Sequence, residues 1–209
     1  MKSYSQAAQD LFVCSVLKKK YNGTFVEIGS NHPITHNNTY LLENTYNWRG
    51  LMVEYDSSFL PLYKEHRPNS IYELTDARRV DYKSILDTNF PTNIDYLQID
   101  LDVNNKSTLD ILILLNDTVF DKYKFASITF EHDIYTGNYF NTQNISRQIF
   151  KERGYILVFP DVSVFWEGKY CKFEDWYVHK DLIDPDVINK IKSDVSLTHE
   201  EIVALLTKI

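Results

Sequence analysis

A chain of 209 residues, 44% hydrophobic and 14% aromatic, is long enough for one sizeable domain with a buried core and leaves little room for a second. Its net charge of −7 and pI near 5.3 argue against a protein that tracks nucleic-acid phosphates, which needs a basic face. There is no apolar run of about 18 residues, the length of a membrane helix, and residues 1–12 lack the apolar segment of a leader peptide, so a cytoplasmic setting without membrane insertion is expected. Cys14 and Cys171 stand far apart, outside metal-ligand spacing, and read as reduced thiols.

In chain order, residues 5–20 predict an amphipathic helix with Phe12, Val13, Val16 and Leu17 on one face and a basic Lys18-Lys19-Lys20 end that suits the helix dipole. Short β-rich runs follow at 24–28, 50–54, 70–74, 95–99 and 125–130, with helix-compatible segments at 58–66, 107–115 and 145–153. Strands alternating with helices indicate a mostly parallel sheet covered on both faces. Two strand-like runs, "GYILVFPDVSVFWEG" and "KFEDWYVHKDL", then predict an antiparallel edge, and Thr198 with Glu201 forms a capping-box pattern that starts a last helix. The expected organisation is one α/β domain over 1–209: an N-terminal helix within 1–22, a binding core at 23–155, and C-terminal strands and helix at 156–209.

In such sheets ligands sit beyond the carboxyl ends of the strands. Four of the early strands end on an acid: Glu27, Glu54, Asp100 and Glu131. Glu54 follows Gly29 by 25 residues, one βαβ unit, where a carboxylate can accept hydrogen bonds from both hydroxyls of an adenosine ribose. The glycines separate the candidate nucleotides. A pyrophosphate requires close backbone approach at a G-x-G-x-x-G turn, whereas Gly29 is followed by Ser30, Asn31, His32 and Pro33. A dinucleotide is disfavoured. S-adenosylmethionine carries no phosphate, so one glycine can serve its amino-acid end, with Asn38 and Thr39 at the next helix start offering polar contacts.

The stretches "YSQAAQDLFV", "GTFVEIGSN", "NNTYLLE", "NWRGLMVEYD" and "IDYLQIDLD" resemble the successive motifs of the FkbM-type S-adenosylmethionine-dependent methyltransferases, many of which O-methylate sugars. The resemblance spans residues 4–155. It implies a Rossmann-like seven-stranded class I methyltransferase sheet with helices on both faces and a reversed last strand. It also implies a cofactor site lined by Gln6, Glu27, Gly29, Ser30, Asn38, Thr39, Glu54, Tyr55, Asp76, Ala77 and Asp100, with Asp76 near the adenine. Two departures bear on that site. Asp100-Leu101-Asp102-Val103 stands where the family has D-x-E-G, and Asn31-His32-Pro33 replaces the usual small residues.

Asp100 and Asp102, followed by Glu131, His132 and Asp133, offer an oxygen-rich ligand set suited to Mg²⁺ or Mn²⁺ rather than zinc. The expected metal ligands are Asp100, Glu131 and His132; Asp102 is the expected general base, with His132 as the alternative. The expected partner is a saccharide acceptor, on a glycan or glycoconjugate, and the domain would suit a module of a larger glycan-building enzyme. Aromatic residues in polar contexts, Tyr135, Tyr139, Phe140, Trp166 and Tyr170, are read as walls of the acceptor pocket. Two other readings stay open: a glycosyltransferase using Asp100-x-Asp102 for a metal-bound nucleotide diphosphate, and a binding module that kept the fold without catalysis.

Overall fold

The computed structural model describes residues 2–208. Seven strands form one sheet in the order β3-β2-β1-β4-β5-β7-β6. They are β1 (Thr24–Ile28), β2 (Arg49–Glu54), β3 (Ile71–Leu74), β4 (Asn93–Ile99), β5 (Lys124–Glu131), β6 (Tyr155–Trp166) and β7 (Lys169–His179). The first five run parallel, and β7 pairs antiparallel with both β5 and β6. The expected fold class, a mostly parallel sheet with an antiparallel edge hairpin, is the one adopted.

Strand alternation divides the apolar side chains between two cores. Phe25, Met52, Tyr96 and Trp176 face one side, where they pack with α1 (Gln9–Val16), α2 (Tyr40–Tyr46), α3 (Leu60–His66) and the last two helices, α7 (Pro185–Ile191) and α8 (His199–Leu206). Val26, Leu51, Leu97 and Ile128 face the other side, covered by α4 (Tyr82–Asn89), α5 (Ser107–Thr118) and α6 (Phe140–Glu152). The first six expected strands match the observed ones to within two residues at either end, and the seventh, expected at 172–182, lies three residues earlier. The Thr198–Glu201 capping box is present, with Glu201 N–H donating to Thr198 Oγ1 at 3.2 Å and Thr198 N–H to Glu201 Oε2 at 2.8 Å.

Three helical expectations need correction. The first helix is half the expected length, because Ala8, Lys18 and Lys19 adopt left-handed backbone conformations at its two ends. Buried Asp10 holds the preceding segment as a strap, accepting from Ser3 Oγ at 2.6 Å and Tyr4 N–H at 2.8 Å. Helices α4 and α7 are additional to the sequence reading; each starts on an Asp cap, Asp81 accepting from Ser84 N–H and Asp184 from Asp186 N–H. On the outermost strand, β6, Pro160 and the left-handed Asp161 coincide with register irregularities. An edge strand tolerates both.

Candidate active site at the strand ends

Strand order reverses between β2-β1 and β4, and the chain opens a cleft above that point. Gly29 makes the opening turn. Its φ is +86°, and a Cβ there would sit 1.7 Å from the Asp100 carbonyl oxygen, so only glycine fits. Gly29 and Ser30 N–H both donate to Val53 O, at 2.8 and 3.0 Å, and Asp100 N–H donates to Ile28 O at 3.0 Å, which ties the three strand ends together.

The cleft has two lobes. An outer lobe of about 420 Å³ is bordered by Val53, Asp76, Ala77, Arg78 and Ser107. An inner lobe of about 470 Å³ is bordered by Gln6, Gly29, His36, Asn38 and Asp100. Glu54, Tyr55, Leu101 and Asp102 belong to both walls and mark the join. A cavity of similar size between α1 and α8, lined by Leu11, Cys14, Lys18 and Leu206, has no carboxylate in its wall.

Glu54 is fixed by two backbone donors, Asn31 N–H on Oε2 at 2.7 Å and Asp56 N–H on Oε1 at 2.8 Å. Each oxygen keeps a second lone pair, so these bonds aim the carboxylate without exhausting it. Asp76 is clamped by Arg78, whose Nε and NH2 donate at 3.0 and 2.8 Å. That hydrogen bonding holds the Asp76 carboxyl down at about 2. Asp100 behaves oppositely. Burial first, then the charges of Asp133, Glu27 and Glu54, push it up to about 7.

Three of the expected cofactor residues lie behind the wall rather than on it. Glu27, 1% exposed, accepts from Asn38 N–H at 2.9 Å, Thr39 Oγ1 at 2.6 Å and Asn37 Nδ2 at 3.2 Å. Ser30 Oγ pairs with the Tyr63 hydroxyl at 2.9 Å, and Tyr63 also donates to Asn31 O. Thr39 Oγ1 accepts from Arg67 NH2 at 2.7 Å. These side chains shape the 30–39 loop. Gln6, Gly29, Asn38, Glu54, Tyr55, Asp76, Ala77 and Asp100 do border the cleft. Asn38 Oδ1 is buried and, among the described residues, has no hydrogen-bond partner.

Arg67 escaped the sequence reading. Fully buried, it donates to Glu43 Oε2 at 2.8 Å, Asn37 Oδ1 at 2.8 Å and Pro33 O at 3.2 Å. It is the internal counter-charge of the loop. No local pattern marks it, since its partners Pro33, Asn37, Thr39 and Glu43 all lie in one stretch of chain far before it in sequence.

The expected metal set needs correction. Along β5, Phe130 and His132 share one face while Glu131 takes the other. His132 therefore turns towards α6, fully buried, with Nε2 at 3.5 Å from Asp175 and 3.7 Å from Asp161. Among the described residues, the one cluster with three ligand atoms mutually within 4.8 Å is His132, Asp161 and Asp175, not Asp100, Glu131 and His132.

A cation already occupies that cluster. Arg147 donates to Asp175 through Nε and NH2 at 2.7 and 2.8 Å, and to Asp161 at 2.8 Å. Burial raises the Asp175 carboxyl, but the Arg147 hydrogen bonds and the nearby His132 imidazole outweigh it and hold the group well below the usual range. His132 is accordingly removed from both the metal set and the base role. Asp102 stays at the cleft, exposed, accepting from Asn104 N–H at 2.9 Å.

No family model and no curated protein sequence matches the chain. Solved structures do. A candidate O-methyltransferase from Klebsiella pneumoniae aligns with TM-score 0.55 at 11% identity, over 83% of this chain and 80% of that one. A precorrin-6y C5,15-methyltransferase from Geobacter metallireducens aligns with TM-score 0.53 at 13% identity, over 84% and 88%. A candidate RNA methyltransferase from Pyrococcus horikoshii aligns with TM-score 0.51 at 11% identity, over 83% of both chains. The chain therefore has the Rossmann-like fold of the class I methyltransferases. At such identities the likeness is one of fold.

Proposed function

We propose that the protein is an S-adenosylmethionine-dependent O-methyltransferase acting on a hydroxyl of a saccharide, in keeping with its resemblance to the FkbM-type enzymes. The observation that carries this reading is the two-lobed cleft hinged on Glu54. The adenine suits the outer lobe, beside Asp76, Ala77 and Leu101. Both ribose hydroxyls suit Glu54, and the amino-acid end suits the inner lobe at Gly29, Asn38 and Asp100. The unpartnered Asn38 Oδ1 and the raised Asp100 both favour an incoming ammonium.

When bound, the donor supplies an electrophilic methyl group. The chain's own task is to align an acceptor oxygen and take its proton. Asp102 suits the second role: one oxygen is held by Asn104 N–H while the carboxylate remains at the rim of both lobes. The exposed rings of Tyr135, Phe140, Trp166 and Tyr170 suit stacking on the apolar faces of a sugar. This reading uses no ion at the His132 cluster, where Arg147 compensates the acids.

The glycosyltransferase alternative requires a diphosphate beside Asp100 and Asp102. The inner lobe, walled by Glu54, Asp56, Asp100 and Asp102 and by no lysine or arginine, opposes such an anion.

S-adenosylhomocysteine is expected to raise the melting temperature, with NAD and nucleotide diphosphates plus Mn²⁺ having no effect. Glu54→Ala is expected to remove most of that shift. Labelled methyl should pass from the donor to a deoxyhexose-containing oligosaccharide. Transfer to RNA or protein with no glycan product would overturn the acceptor class, and an unchanged melt would overturn the donor.

A further inference from the structure

The inner lobe sets a charge problem for the donor site proposed above, on which this inference rests. The amino-acid end of S-adenosylmethionine carries an ammonium and a carboxylate. Asp100 and Asn38 suit the first. The second enters a lobe bordered by four carboxylates, those of Glu54, Asp56, Asp100 and Asp102.

Nucleotide sites of this architecture commonly meet an anion with free backbone N–H groups after the first strand. Here those groups are taken. Gly29 and Ser30 donate to Val53 O, Asn31 to Glu54, His32 to Asn31 Oδ1, and Ile34 and Thr35 to His32 Nδ1 at 3.2 and 3.1 Å. Asn37 donates to Tyr4 O and Asn38 to Glu27. Pro33 has no N–H.

His36 is the exception. Among the described residues from Gly29 to Asn38, its N–H alone has no protein partner beside the cleft. Its backbone is left-handed, with φ of +53°, and its side chain is exposed and borders the inner lobe. Among the described residues of that lining, it is also the only side chain able to carry positive charge.

We propose that His36 is the anion-binding residue of the donor site, its main-chain N–H and imidazole together holding the carboxylate of the donor's amino-acid end. The Asn31-His32-Pro33 departure then has a physical meaning. His32 closes the loop on itself by accepting from Ile34 and Thr35, so the backbone cradle is spent internally and anion recognition moves to His36.

Calorimetric binding of two ligands to the wild-type chain and to His36→Asn tests this. S-adenosylhomocysteine has the amino-acid end; 5′-methylthioadenosine shares its adenosine and thioether but lacks that end. Asparagine tolerates the left-handed backbone and removes the imidazole. The substitution is expected to weaken S-adenosylhomocysteine about tenfold or more, the scale of losing a hydrogen bond to a charged group. It should leave methylthioadenosine affinity and the melting temperature of the free protein unchanged. Equal affinity of both proteins for S-adenosylhomocysteine would overturn the assignment. So would a parallel loss of both ligands, which would make His36 a residue of the loop's shape. Failure of the wild-type chain to bind either ligand would overturn the donor reading itself.

Discussion

Two arginine-centred networks flank the strand ends, one fully buried and one partly exposed, and they differ in what they leave free. Arg67 sits beneath the 30–39 loop, where it compensates Glu43 and fixes Asn37 and Thr39. Its network leaves Asn38 Oδ1 and the inner lobe open. Arg147 sits at the β5–β7 end and binds Asp175 through two nitrogens and Asp161 through one of them. There the guanidinium fills what would otherwise resemble a metal site. Clustered acids thus have opposite meanings according to whether the chain supplies its own cation.

The largest expected effect comes from the closed interior. Arg67→Met should destabilise the protein by about 3–5 kcal/mol, because it strands the buried carboxylate of Glu43; urea denaturation reads this directly. A loss under about 1 kcal/mol would show that water replaces the guanidinium and that the loop does not depend on it.

Arg147→Ala should cost less, about 2–3 kcal/mol, since its side chain is 30% exposed. The sign of its pH dependence is fixed by Asp175, whose carboxyl is depressed in the folded state. Such a group stabilises the fold above the ordinary carboxylate range, and that contribution is lost as pH falls through its lowered folded value. The variant should therefore show a shallower loss of stability on acidification. A wild-type acid limb in the variant would separate Asp175 from Arg147.

At the open end the sign reverses. Asp100 is raised from 3.8 to about 7, so its ionisation opposes folding as pH climbs through that interval. Asp100→Asn should stabilise the ligand-free protein at pH 8, a gain that shrinks towards pH 5. It should also weaken S-adenosylhomocysteine binding. Stabilisation without weaker binding would place the ammonium elsewhere in the lobe.

Much of this architecture was legible in the chain. Five strands, the reversed hairpin and the last capped helix follow from alternation, turn residues and a two-residue cap signal, all of which are local. The acids at the ends of β1, β2 and β4 likewise place the cleft, because in a parallel sheet the carboxyl ends of neighbouring strands meet.

Which of those acids face the cleft was decided by the tertiary structure. Glu27 and Glu54 look equivalent in sequence. One is saturated by the 37–39 turn and the other stands at the junction of the two lobes. His132 was half-readable, since period-two alternation opposes it to Glu131, but its partners Asp161, Asp175 and Arg147 come from β6, β7 and α6. The role of Arg67 depends on side chains of the 37–43 stretch brought to it across the fold, and that of His36 on N–H groups spent within a single loop. A hydrogen bond is satisfied by whatever lies within reach in space, so sequence spacing settles where a carboxylate stands on a strand but not what is left for it to bind.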